Sequence, residues 1–183
     1  MDGNMQTALG QAEGGRQGGD PFLGNAVEIA LVTRDARRTI AGLWALGIGP
    51  WRIYTFDPTN TTNQTYRGRP SPFVMKVCFA AVGQMIWEVI EPISGDTIFS
   101  EFLDSHGEGL HHIAYDCNGS PFEERVAEFE RRGFSMIQGG SWMGQNHFAF
   151  FGTEESTSMV FETYFFPDDW VYPEPEGLYP SEG

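Results

Sequence analysis

Cysteine, positive charge and long apolar runs are all in short supply in this chain, and each shortage excludes something. The 183 residues hold 2 cysteines, Cys78 and Cys117. Both sit in apolar, strand-like runs and read as free buried thiols of a protein in a reducing compartment, not as a disulfide framework. Lys and Arg number 11 against 25 Asp and Glu, for a net charge of −14. That balance excludes a nucleic-acid backbone or an anionic membrane surface as partner, though a local site can still take a small anion. No segment has the apolar length of a bilayer span. The opening stretch "MDGNMQTALGQAEGGRQGGD" has neither the basic nor the apolar region of a secretory signal, so residues 1–22 read as a disordered Gly-rich tail and the location as cytoplasmic.

What is present is 40% hydrophobic and 14% aromatic, enough for one domain or two small modules with a shared core. "AVEIALV" reads as a strand, Asp35 as an N-cap, and "ARRTIAGLWAL" as a helix stopped by Gly47. "WRIYTF" is the next strand. "DPTNTTNQTYRGRPS" reads as a polar loop, long enough for a lid. Strands "PFVMKVCFAAV" and "QMIWEVIEP" follow, hinged at Gly83. After a short helix and a Gly-rich connection the order repeats. "LHHIAYD" is a strand, Ser120, Pro121 and Glu123 form a capping box, Gly133 ends the helix, and "FSMIQ", "NHFAFFG" and "SMVFETYFF" are strands.

A β-α-β-β-β pattern occurring twice predicts an α+β fold. Two βαβββ modules in pseudo-twofold arrangement (residues 23–95 and 109–166, joined by a short helix over 96–108) would form a curved mixed sheet around a central cup. Residues 167–183 are Pro-rich, so regular structure is not expected there. Trp170, Tyr172, Leu178 and Tyr179 predict that this tail packs along a surface.

Strand alternation sorts the histidines of "GEGLHHIAYD". His112 shares a face with Leu110 and Ala114, whereas His111 shares the bulkier one with Ile113 and Tyr115, on the packing side. In the first strand Glu28 falls on the small-residue face with Ala26 and Ala30. The last strand of each half carries a glutamate among apolar residues, Glu88 and Glu162. Pseudo-twofold symmetry brings Glu28, Glu88, His112 and Glu162 together, and buried carboxylates beside an imidazole invite a divalent metal. The same spacing also fits solvent-facing glutamates and a satisfied core histidine. His147 becomes an acid/base or substrate contact if it faces inward with Ala149. His106 falls in an exposed loop. Arg52, Tyr54, Lys76, Trp87, Arg67 and Arg69 are candidates for holding a substrate, and Met75, Met85 and Met143 are core candidates.

The span from Ala26 to Phe166 resembles the vicinal oxygen chelate superfamily of glyoxalase I, bleomycin-resistance proteins, extradiol dioxygenases and methylmalonyl-CoA epimerase. "WEVIEPISGDTIFSEFLDSHGEGLHHIAYD" is most similar to the epimerase branch, and "LGIGPWRIYTF" to its glyoxalase-like members. The resemblance implies His112, Glu88 and Glu162 as metal ligands. It also implies a histidine at the first-strand position, where this chain has Glu28. Glu28 is then a substitute ligand, a general base freed from metal duty, or a sign that the cup binds an organic ligand without metal.

The implied activity is that of an isomerase, epimerase or lyase acting next to a carbonyl. A divalent ion (Mn, Fe, Ni, Mg or Zn) would serve as Lewis acid and Glu162 or Glu28 would move the proton, with no organic cofactor. The implied substrate is an acyl thioester, a small acid or a polyketide-type metabolite of secondary metabolism. A homodimer is compatible with the family's edge-to-edge pairing. Extradiol dioxygenase chemistry needs two histidines, and only His112 stands at an aligned position. The alternative is a metal-free member that binds a hydrophobic metabolite or rearranges it by shape and acid/base groups.

Overall fold

The computed structural model describes residues 21–181. In chain order the elements are β1 (Ala26–Val32), α1 (Ala36–Ala45), β2 (Trp51–Phe56), β3 (Thr61–Tyr66), β4 (Arg69–Pro70), β5 (Val74–Val82), β6 (Met85–Ser94), α2 (Ile98–Ser105), β7 (Gly109–Tyr115), α3 (Phe122–Arg131), β8 (Met136–Trp142), β9 (Asn146–Phe151), α4 (Glu154–Thr157), β10 (Val160–Phe165) and β11 (Gly177–Tyr179). All strands join one mixed sheet in the order β11-β2-β5-β6-β1-β7-β10-β9-β8-β3-β4. The duplication is visible in this order. β1 and β7 pair antiparallel at the centre, and each has a parallel neighbour from its own half, β6 and β10.

Local chemistry sets the boundaries. Asp35 caps α1 by accepting from the Arg38 amide at 2.9 Å, and Gly47 leaves the helix at φ +89. Thr97 and Ser100 form a reciprocal capping box at the start of α2. At α3 the expected Ser120 cap is displaced by one residue: Pro121 holds the N-cap position without a side-chain bond, while Glu123 and Glu124 face the positive end of the helix.

Each face of the curled sheet has its own core. Val32, Tyr54, Phe56, Val77, Ile90, Phe148 and Phe150 fill the concave side. On the convex side α1 covers Trp51, Cys78, Ala80 and Val89, and α3 covers Cys117, Ala149 and Phe151, with Phe129 stacked on Phe151 at 3.8 Å. Cys78 and Cys117 are both free and buried.

Several segments depart from expectation. The polar stretch after Asp57 is a hairpin, β3–β4, which leaves its own half and pairs antiparallel with β8 of the other. Polar strand residues and a bulge at Asn63 (φ +52) hide the alternation that would mark it. The Pro-rich end contributes β11, a short edge strand flanked by prolines that pairs with β2. Met143 lies in a turn at 48% exposure and belongs to no core. Residues 1–20, read as part of a disordered tail, lie outside the described residues. Phe22 packs edge-on against Phe129 beneath the Arg132 guanidinium.

Candidate metal centre and ligand cup

Four neighbouring strands at the middle of the sheet, β6, β1, β7 and β10, each contribute one acid or imidazole side chain to the concave face. Ala30 pairs with Glu88 on one side and His112 on the other. Ala114 pairs in the same way with Glu28 and Glu162. Both alanines are fully buried, and their small side chains leave the space in which the four longer groups converge. Ligand atoms of Glu28, Glu88, His112 and Glu162 all lie within 4.8 Å of one another. His112 Nε2 stands 3.1 Å from Glu88 Oε2 and 3.2 Å from Glu162 Oε2.

The electrostatics follow from this crowding. Burial raises the Glu28 carboxyl well above the usual range, and the charges of Glu88 and Glu162, with a hydrogen bond to Glu162, push the same way. Burial also raises Glu88, against the opposing pull of His112. For His112, burial disfavours the charged ring, but the hydrogen bonds and charges of Glu162 and Glu88 outweigh it and push the group up to about 9.

His111 is not turned away from its neighbour. The β1–β7 register shifts between the Ala30–His112 and Leu31–Leu110 pairs, a bulge with His111 as the extra residue. Strict alternation therefore fails at His111, and His111 Nδ1 lies 2.8 Å from His112 Nδ1. The His111 ring packs edge-on against Phe99 and Phe102 of α2. Burial and the adjacent histidines hold His111 neutral, well below the usual imidazole range. His112 Nδ1–H is accordingly the donor and His111 Nδ1 the acceptor, which leaves His112 Nε2 aimed into the carboxylates.

These residues fit a divalent cation. Glu162 Oε2 is buried, with His112 Nε2 3.2 Å away, and carboxylates that repel one another surround a single imidazole nitrogen. A cation answers both costs, and three oxygen donors with one nitrogen suit a hard or borderline ion.

Above this floor the cup is apolar. Phe56, Met75, Phe79, Phe148, Phe150, Tyr164, Phe166 and Tyr172 line a cavity of about 50 Å3, together with Asn146 and the glutamates. Phe56 stacks on Trp142 at 4.5 Å behind the lining. Burial and then the Glu28 charge push the Tyr172 hydroxyl up to about 12.

Other predicted contacts fall elsewhere. His147 is on the convex side between Phe122 and Phe165, because Asn146, Phe148 and Phe150 take the inward positions of β9. Trp87, one residue from Glu88, packs against the core under α1. Lys76 pairs across strands with Thr55 and Glu91, while its neighbours Met75 and Val77 face the cup. Arg67 is bound to Glu101 on α2 and Arg69 is exposed on β4. Arg52 and Tyr54 line a second cavity beside the cup. Tyr172 and Asn146 were not among the predicted site residues. The aromatics of the Pro-rich tail were the available signal for Tyr172.

The family model of the Glyoxalase/Bleomycin resistance protein/Dioxygenase superfamily matches residues 28–151. The chain belongs to this superfamily. Methylmalonyl-CoA epimerase from Mycobacterium tuberculosis shares the fold at 13% identity and a TM-score of 0.56, over 83% of this chain and 95% of that one. A variant of the Streptomyces coelicolor epimerase, solved with 2-nitronate-propionyl-CoA, superimposes with a TM-score of 0.61 at 14% identity, over 82% and 99% of the two chains. A hypothetical protein from Bacillus halodurans C-125 gives a TM-score of 0.57 at 18% identity, over 81% and 98%. The curated "Uncharacterized protein YqjC" of Bacillus subtilis (strain 168) is 43% identical over 44 residues, 24% of this chain and 31% of that protein. The match thus spans about a third of that relative. No helix among the described residues is long and apolar enough to cross a membrane.

Proposed function

We propose that this superfamily member is a metal-dependent isomerase, epimerase or lyase that moves a proton next to the carbonyl of a small organic substrate. The buried convergence of Glu28, Glu88, His112 and Glu162 is the observation that supports this reading. Glu88, His112 and Glu162 would hold a divalent ion, which would supply Lewis acidity to the substrate carbonyl.

Charge balance assigns Glu28. Two carboxylates and a neutral imidazole neutralise a divalent ion, and a third ionised carboxylate would leave a buried net negative charge. Glu28 therefore rests protonated and acts through its minor ionised form, in which the carboxylate takes the proton from the substrate carbon and the carboxylic acid so formed returns it. The apolar walls exclude water from that exchange. The free thiols of Cys78 and Cys117 suit a reducing, cytoplasmic setting.

The test is metal analysis of untagged protein purified without chelator, joined to proton–deuterium exchange at the carbon next to the carbonyl in a panel of 2-substituted acyl compounds. Stoichiometric metal that is lost in His112→Ala, and exchange lost in Glu28→Gln with metal retained, support the proposal. Protein that carries no metal and melts unchanged in EDTA overturns it in favour of a metal-free cup.

A further inference from the structure

The cup that holds the four polar groups is small. A cavity of about 50 Å3 has room for about four water molecules, far below the several hundred Å3 of an ordinary ligand pocket. A second cavity of about 350 Å3 lies beside it, lined by Pro50, Arg52, Tyr54, Phe79, Ala81, Ile86 and Tyr172. Phe79, Ile86 and Tyr172 line both cavities, so the two share a wall. Phe79 and Ile86 belong to the sheet, whereas Tyr172 arrives from the C-terminal segment.

That segment is tied down on both sides of Tyr172. Upstream, the Trp170 amide donates to the Pro167 carbonyl at 2.9 Å and the Trp170 ring lies 5.2 Å from Phe166 and 5.5 Å from Trp142. Downstream, the Tyr54 hydroxyl donates to the Pro173 carbonyl at 3.2 Å, and Glu176 accepts from the Thr55 amide and hydroxyl, each at 2.9 Å. β11 then closes onto β2. The two cavities also differ in charge. The inner one has three glutamates and no Lys or Arg in its lining, while the outer one has Arg52 and no carboxylate. The Arg52 guanidinium has no ion-pair partner among the described residues.

We infer that Tyr172 divides the ligand site into a head chamber and a body chamber, and that the substrate is an amphipathic acid. Its oxygen-bearing head enters the inner cup, its apolar body lies along Phe79 and Ile86, and its carboxylate meets Arg52. This deepens the proposed function and rests on it for the head chamber alone.

Two probes separate the chambers. 3-Phenylpropanoate, titrated into metal-free protein by calorimetry, reports the outer one. It binds the wild type and weakens about tenfold or more in Arg52→Gln, which removes one charge-assisted contact. Equal binding by the two proteins overturns the assignment. Acetohydroxamate and benzohydroxamate, titrated into Mn2+-loaded protein, report the inner one. The wild type and Tyr172→Phe prefer the smaller head, and Tyr172→Ala erases the preference. A wild type that takes both equally well refutes the partition. If neither hydroxamate binds loaded protein the head chamber fails with the metal reading, and the phenylpropanoate titration still decides the body chamber.

Discussion

Binding of a divalent ion to this site is expected to release a proton from His112, with an affinity that climbs with pH. In the metal-free protein the imidazolium is shared between Glu88 and Glu162 and its pKa is pushed up to about 9. At neutral pH about one molecule in a hundred then has a bare His112 Nε2. Mn2+ affinity near pH 7 is expected to be about 100-fold below its high-pH limit, or about 3 kcal/mol weaker, rising about tenfold per pH unit from about pH 6 to about pH 8. Calorimetry in two buffers of different ionisation enthalpy counts the protons directly. One proton released in this range, unchanged in Glu28→Gln, matches Glu28 as a protonated acid/base. Two protons, falling to one in Glu28→Gln, would make Glu28 the fourth ligand. An affinity flat across the range would refute the derived charge state of His112.

Without metal, the raised values of His112 and Glu28 mean that the folded state holds these protons more tightly than the unfolded chain. The His112 contribution, about 3 kcal/mol, is full below its ordinary value and is lost as pH rises toward about 9. Thermal melts of metal-free protein should therefore fall from about pH 6.5 to about pH 9, and Glu28→Gln should melt higher than wild type at the alkaline end. His111→Phe keeps the aromatic packing but removes the acceptor at His112 Nδ1, so Mn2+ affinity should drop about 10–100-fold in calorimetry while far-UV circular dichroism is unchanged. Ala114→Val puts two methyl groups between Glu28 and Glu162, and chemical denaturation should show a loss of about 1–3 kcal/mol together with weakened metal binding. Trp142→Ala removes the stack on Phe56 and the support of Trp170, with an expected cost of about 3–5 kcal/mol by urea titration.

Much of the fold was legible because its signals are local. Asp35, Gly47 and Gly83 mark boundaries through their own backbone chemistry, and the repeat of a β-α-β-β-β order needs only the pattern of apolar residues. The same local parity misleads where a neighbour is chosen by residue type. Lys76 and Trp87 suit a ligand chemically, yet each lies one position from a residue that faces the cup and is turned to the other side. His147 fails for the same reason, beside Asn146 and Phe148. Parity also breaks at the β7 bulge, where an extra residue lets His111 and His112 meet. A bulge is a property of the pair of strands, so neither strand alone announces it.

The sequence by itself named the four side chains that converge as candidates, because a two-residue period and an internal duplication say which positions can share a face and which correspond by symmetry, though the same spacing also fits glutamates that face solvent. Tertiary structure decided how large and how polar the space above them is. The polar hairpin β3–β4 is captured by β8, some eighty positions further along the chain (Thr61 pairs with Trp142). The Pro-rich end is captured by β2, and it carries Tyr172 onto the cup. Both segments have weak patterns of their own and take their shape from the edge strands they complete. Hydrogen bonds offered by a distant strand edge are not written in the residues that accept them.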